Sequence, residues 1–187
     1  MKRLFVAIEV PKKLREKIFA DLSEPLLNVN KTIANNLHIT LCFIGDVSEQ
    51  GEVEIVKRLE KIEFSEFNVL IGRVGQFDER VLWVSAEALE LHNLADQISK
   101  TLHVDNEFNG HITIARTTQG ADFDKEFAKI RNKRINQTIK VKSFVLLESK
   151  ASPTGSVYSK VSEFKVIKKT KENKTKQSET KDSKTKK

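Results

Sequence analysis

Two histidines of this 187-residue chain occupy the same short motif at distant places in the sequence. His38-Ile39-Thr40-Leu41 is matched by His111-Ile112-Thr113-Ile114, and the chain holds four histidines in all. Imidazole has an ordinary pKa of about 6.5, so one of two such histidines can be protonated while the other is neutral. A phosphodiester displacement needs such a pair, because a base must deprotonate the attacking oxygen and an acid must protonate the leaving oxygen. The repeated motif therefore predicts acid–base chemistry.

A threonine follows each of these histidines at the same spacing. Thr40 and Thr113 come two residues after His38 and His111, and alternate residues of a strand share one face. Their hydroxyls could donate to non-bridging phosphate oxygens as negative charge develops. For a single motif, two polar side chains bonded within a strand would be the simpler interpretation. The duplication favours a catalytic one.

Two aromatic residues are candidates for contact with a nucleobase. Phe5 and Trp83 occupy matched positions when residues 4–9 are aligned with residues 82–87. Either ring could stack on a base, although aromatic side chains in strands more often pack in the interior.

Arg116 follows the second motif and is a candidate phosphate ligand. Strand alternation points Arg116 away from the face that carries His111 and Thr113, unless the strand ends or bulges at Ala115. We predict no metal site and no cofactor, because the two histidines have no accompanying cluster of carboxylates or cysteines.

The hydrophobic pattern predicts an α+β protein in which a strand-helix-strand-helix unit occurs twice, over about 3–62 and 81–134. Pro11 and Ser48 open the first two helices, and Gly45 is expected to end the second strand. The predicted strands cover residues 3–9, 37–44, 67–77, 81–87, 110–115, 138–147 and 156–164. Apolar residues alternate along them, so two antiparallel sheets should face each other across a central cleft that holds both His-Thr pairs.

Charge and composition divide the chain into a domain over 1–167 and a tail over 168–187. The tail holds nine lysines against three acidic residues, and so carries +6 of the formal net charge of +7. It has no apolar side chain with which to form a core, and we predict disorder. It is either an arm that attracts RNA or a solubilising extension.

The cellular setting follows from the cysteine content and the N-terminus. Cys42 is the single cysteine, so a disulfide framework is excluded and a reducing compartment is indicated. Glu9 and Pro11 interrupt the apolar N-terminal run before a signal peptide or membrane span could be complete. We expect a cytoplasmic monomer without membrane contact.

Both motifs together resemble the two-histidine phosphoesterase superfamily, whose hallmark is a pair of His-x-Thr-x motifs. The chain is most similar to the RNA 2′,3′-cyclic phosphodiesterases, historically called 2′-5′ RNA ligases, over residues 3 to about 165. The similarity is carried by the two motifs, the opening Leu4-Phe5-Val6-Ala7-Ile8, Phe43-Ile44-Gly45 and Arg116.

The resemblance implies a bilobal fold and metal-independent hydrolysis of an RNA 2′,3′-cyclic phosphate to a 2′-phosphomonoester. It also implies that His38 is the proton donor and His111 the proton acceptor, with RNA ending in a cyclic phosphate as the partner. Some relatives join RNA ends through 2′-5′ linkages. Two alternatives stay open: a cyclic phosphate on a nucleotide or ADP-ribose derivative as substrate, and an RNA-binding module without turnover.

Overall fold

The computed structural model describes residues 1–105, 107–118, 122–153 and 155–166. Within these ranges nine strands form one antiparallel sheet that is accompanied by four α-helices. The strands are β1 (Lys2–Glu9), β2 (Val29–Lys31), β3 (His38–Val47), β4 (Phe67–Phe77), β5 (Val81–Glu87), β6 (His111–Thr117), β7 (Arg134–Val141), β8 (Ser143–Ser152) and β9 (Gly155–Lys165). The helices are α1 (Lys12–Ile18), α2 (Glu49–Leu59), α3 (Leu89–Leu102) and α4 (Phe123–Ala128). The predicted disordered tail lies outside the described residues.

The order of the strands places both motif strands at the centre of the sheet. The order is β7-β4-β5-β6-β3-β1-β8-β9, and β2 pairs with β6 outside this path. The α+β class and the antiparallel pairing are confirmed. The two expected sheets are two halves of one sheet, because β3 and β6 pair at Ile39 and Ile112. The boundaries at 1–167 and the duplication of 3–62 and 81–134 stay predictions.

The main hydrophobic core lies between the helices and one face of the sheet. Alternation predicted which strand residues face it, and all of them are members of one buried cluster. They are Leu4, Val6, Ile8, Leu37, Ile39, Leu41, Leu82, Val84, Ile112 and Ile114. Each helix adds an apolar stripe, such as Leu91, Leu94 and Ile98 of α3. Burying one such side chain contributes about 1.5–3 kcal/mol. A second, smaller buried cluster consists of Phe5, Ala7, Val145 and Leu147.

The ends of several elements differ from the sequence prediction. The run 138–147, predicted as one strand, spans β7 and β8, which Lys142 alone separates. No glycine or proline marks that turn, so the pattern appears continuous. The expected end at Gly45 is wrong: β3 continues to Val47, and Gly45 takes a φ of 90° beside an irregularity in the β1–β3 ladder. The short β2 was not predicted.

Glu126 connects α4 to the chain segment before β2. Its carboxylate, 1% exposed, accepts hydrogen bonds from the Leu27 backbone N–H at 2.8 Å and from Lys129 Nζ at 2.7 Å. Burial acts to raise the pKa of Glu126, but the hydrogen bonds from Lys129 and Leu27 outweigh it and hold that pKa below its ordinary value. The charged carboxylate therefore stabilises the fold.

We expect E126Q to lower the free energy of unfolding at neutral pH by about 1–3 kcal/mol, because it removes a buried charge-assisted contact. The contribution of Glu126 is complete above the unfolded pKa of about 4.3, and it is lost as pH falls through the lower folded value. Urea denaturation at pH 7 and at about pH 3 should show the difference between the proteins shrinking in acid. E54Q, at an exposed ion pair with Arg58, is the control and should change stability little. Equal stability of E126Q and the parent at pH 7 would contradict this account.

Candidate active site

His38 begins β3, one residue after a 3-10 turn at Ala34–Asn36. Its Nδ1 lies 2.6 Å from the backbone carbonyl oxygen of Asn36. A carbonyl oxygen only accepts, so Nδ1 must carry a hydrogen, and Nε2 is the nitrogen left for proton transfer. Nε2 lies 3.0 Å from Thr40 Oγ1. The threonine hydroxyl can donate to the neutral ring and accept from the protonated ring.

His111 is held in the same way at the start of β6. Its Nδ1 lies 2.7 Å from the backbone carbonyl oxygen of Asn109, which fixes the same tautomer. Asn36 and Asn109 precede their histidines by two residues, so the repeated motif is longer than the sequence analysis recognised: Asn-x-His-x-Thr. Asn36 also donates from Nδ2 to the Ser156 backbone oxygen at 2.6 Å, which ties β9 to this turn.

Each imidazole ring also packs against two aromatic rings. The His38 ring centre lies 5.1 Å from that of Phe5 and 5.3 Å from that of Tyr158. The His111 ring centre lies 5.0 Å from that of Phe77 and 6.5 Å from that of Trp83. These contacts restrict how far either imidazole can rotate.

The prediction that Phe5 stacks on a nucleobase is wrong for this structure. Phe5 is 3% exposed and packs against His38, Phe43 and Tyr158, so its ring is covered. Phe5 and Trp83 are also not equivalent in the ladder, because Ala7 lies opposite Thr40 whereas Trp83 lies opposite Thr113. A shift of two residues preserves which face a side chain occupies, so alternation could not detect it.

Trp83 is half-buried, and stacking by Trp83 on a base stays a prediction. The ring lies over Gly75, where an added Cβ would overlap it, and it contacts Phe77. Trp83 Nε1 is buried and has no hydrogen-bond partner among the described residues.

A bulge in each motif strand turns one further residue away from the core. In β6, Thr113 is paired with Trp83 and Ala115 with Leu82, which leaves Ile114 as the extra residue. In β3 the extra residue is Leu41, between the pairs of Thr40 and Cys42. Both bulges bury two consecutive residues and expose the next one, which is Arg116 in β6 and Phe43 in β3. The bulge that the sequence analysis required for Arg116 is therefore present.

Charge interactions link the two histidines and Arg116. Burial lowers the pKa of His38 below its ordinary value, and the charges of His111 and Arg116 lower it further, against the opposing hydrogen bond to Asn36. Burial also lowers the pKa of His111, with a smaller contribution from Arg116. Three groups from both halves of the sheet thus act on one another, and unliganded imidazoles are biased toward the neutral form.

A cavity of about 340 Å³ lies between the two motif strands. Its lining residues come from both halves: Thr40, Leu41, Phe43, Phe77, Glu107, Phe108, Asn109 and His111. His38 is not among the lining residues, but its Nε2 contacts Thr40, which is. Thr113 is half-buried on β6 and is not among the lining residues. Sequence reasoning missed Phe77, Tyr158, Glu107 and Phe108, because no repeat or pattern marks them.

No group of three or more His, Cys, Asp or Glu side chains suited to holding a metal ion occurs in the described part of the chain. Over the same residues, no helix has the length and hydrophobicity needed to cross a membrane.

The chain belongs to the LigT-like phosphoesterase family. That family matches residues 8–83. An RNA 2′,3′-cyclic phosphodiesterase of Archaeoglobus fulgidus is 32% identical over 177 residues, covering 87% of this chain and 99% of the relative. A protein of the same name from Aeropyrum pernix is 31% identical over 150 residues, covering 72% and 85%.

Solved structures agree with the fold. Escherichia coli LigT complexed with phosphate superposes with a TM-score of 0.73 at 25% identity, covering 88% of this chain and 97% of LigT. The same protein in its apo form gives a TM-score of 0.76 at 24% identity over 88% and 97%. The antiparallel α+β architecture is therefore shared along most of the chain.

We expect R116Q to raise the pKa of both His38 and His111, because it removes a cation that disfavours each imidazolium. NMR titration of the imidazole CH protons in the unliganded protein measures both values. R131Q, which removes an exposed arginine that does not act on either histidine pKa, should leave them unchanged. Unchanged or lower values in R116Q would show that Arg116 does not act on the histidines.

Proposed function

We propose that this protein hydrolyses an RNA 2′,3′-cyclic phosphate to a 2′-phosphomonoester without a metal ion. The observation that carries the proposal is the matched fixing of two imidazoles, in which each Nδ1 bonds a backbone carbonyl and each Nε2 is left for proton transfer. Relatives named RNA 2′,3′-cyclic phosphodiesterase support the choice of substrate.

Each of the two histidines carries out one of the two proton transfers of the reaction. His111 Nε2 removes a proton from the attacking water while the new oxygen–phosphorus bond forms. The bond between phosphorus and the 3′ oxygen breaks, and His38 Nε2 gives that oxygen its proton. The products are a free 3′ hydroxyl and a 2′-phosphomonoester. The same two transfers, with an RNA 5′ hydroxyl in place of the water, would form a 2′-5′ linkage and release the 3′ hydroxyl, and the reverse sequence would cleave that linkage.

Thr40, Thr113 and Arg116 are proposed to stabilise the phosphorane-like transition state. The hydroxyls donate to non-bridging oxygens, and Arg116 adds a positive charge as negative charge accumulates. Thr40 has a second role, because its contact with His38 Nε2 aligns the ring that must donate a proton.

Substrate binding also favours protonation of the imidazole that acts as the acid, which takes its proton from solvent. Burial and Arg116 lower the pKa of both imidazoles in the free protein. An anionic phosphodiester placed between them favours the charged form and raises these pKa values. The bound substrate therefore promotes protonation of the imidazole that acts as the acid.

We expect H38A and H111A each to lower kcat by about 10²–10⁴-fold on an oligonucleotide ending in a 2′,3′-cyclic phosphate, because each variant removes one proton transfer. The assay is run with chelator, and the product is analysed for the hydroxyl that keeps the phosphate. H103N is the control, since His103 caps α3 in a left-handed conformation that asparagine tolerates. Activity retained in both alanine variants, or a 3′-phosphate product, would contradict the mechanism.

The same assay should distinguish RNA from the alternative substrates, and turnover from binding alone. Cyclic phosphates on a free nucleotide and on an ADP-ribose derivative are run beside the oligonucleotide, with binding followed in parallel. Tight binding without any product would indicate a non-catalytic RNA-binding module.

We expect kcat/KM to show a bell-shaped pH dependence with its maximum below about 6.5, the ordinary pKa of imidazole. This parameter reports the free protein, in which both pKa values are lowered, so the form with one proton shared by the pair is most populated in mild acid. Initial rates at substrate concentrations well below KM provide the profile. A flat profile, or a maximum above pH 7, would exclude this pair as the acid and base.

A further inference from the structure

The residues that line the cavity include two exposed side chains that the proposed reaction does not use, Phe43 and Glu107. Phe43 is 61% exposed, although the two strand residues before it are buried. The other two phenylalanines of the cavity each pack against a histidine ring. The ring centre of Phe77 lies 5.0 Å from that of His111, and the ring centre of Phe108 lies 4.9 Å from that of His92. Phe43 also meets the ring of Phe5 at a centre-to-centre distance of 6.0 Å, but it is the most exposed of the aromatic rings that line the cavity.

Glu107 is the one acidic residue among those that line the cavity. Within the described ranges its carboxylate has no cation or hydrogen-bond partner. A carboxylate in contact with a substrate phosphate would weaken binding, because like charges repel. In the proposed function Arg116 and the imidazoles bind the phosphate, so Glu107 suits a part of the substrate that carries hydrogen-bond donors.

The spacing along β3 fits a nucleotide. Phe43 lies three residues beyond Thr40, which is at most roughly 10 Å along a strand. This is the order of the distance between the phosphate and the far edge of the base in a nucleotide. A cyclic phosphate beside Thr40 and His111 would therefore place its own base near Phe43 and Glu107.

We propose that Phe43 stacks on the base of the terminal nucleotide and that Glu107 selects bases with donor groups, guanine first. The inference rests on the proposed function and adds the substrate preference. Guanine presents N1–H and N2–H side by side, which matches the two oxygens of a carboxylate. Cytosine and adenine offer a single amino group beside an acceptor nitrogen. Uracil places N3–H between two carbonyl oxygens that repel the carboxylate.

The test compares kcat/KM for the four nucleoside 2′,3′-cyclic phosphates in the full chain. A two-bond contact to a base edge predicts a preference for guanosine over uridine of about tenfold or more. E107Q should bring this ratio close to one, mainly through a loss on the guanosine substrate. F43A should lower kcat/KM for all four bases by about fivefold or more while the guanosine-to-uridine ratio is kept.

D105N is the matched control. Asp105 is an exposed acid in the same loop as Glu107, but it does not line the cavity, so D105N removes the same charge from another place. It should leave the guanosine-to-uridine ratio unchanged. A loss of the ratio in D105N as well as E107Q would overturn the inference, since it would show a general effect of loop charge.

The outcomes separate the two proposals. Equal turnover of the four cyclic phosphates by the parent protein would overturn the base preference and leave the proposed function standing. A guanosine preference that survives in E107Q would also overturn the role of Glu107. Absence of turnover on all four substrates and on the oligonucleotide would overturn the proposed function and this inference together.

Discussion

The pairing of Ile39 with Ile112 is the contact on which the site depends. It joins β3 to β6 at the centre of the sheet, and each residue is flanked in its strand by a motif histidine and a motif threonine. Because neighbouring strands lie about 4.8 Å apart, this pair brings together two motifs that are more than seventy residues apart in sequence. Both isoleucines are fully buried. The core therefore holds together the two halves that share the chemistry.

In many acid–base pairs a side chain of another residue fixes the histidine tautomer. In this site the backbone does so. A peptide carbonyl two residues before each histidine fixes the tautomer, so Nε2 is presented on both rings without a carboxylate partner. This arrangement adds no negative charge to the place where we propose that a phosphodiester binds. Burial and Arg116 lower the pKa of both imidazoles and bias them toward neutrality in the unliganded protein.

Several features of the site were accessible from the sequence because they depend on local periodicity. The paired motifs, the faces of the strands and the serine cap of α2 follow from residue type and alternation. The bulges were not determined in the same way. Each bulge shifts the alternation by one residue. The face of Arg116 could therefore be predicted only on the condition that a bulge was present, and the exposure of Phe43 was not predicted. The burial of Phe5 depends on Tyr158, which arrives from β9.

The sequence by itself determined the α+β class, the members of the core and the identity of the two histidines, because these follow from short-range patterns that repeat along the chain. Tertiary structure alone decided the register of the ladders, the joining of the two halves into one sheet, and the carboxylate and aromatic rings that complete the cavity. These depend on contacts between distant segments, and a register shift of two residues leaves every local pattern unchanged.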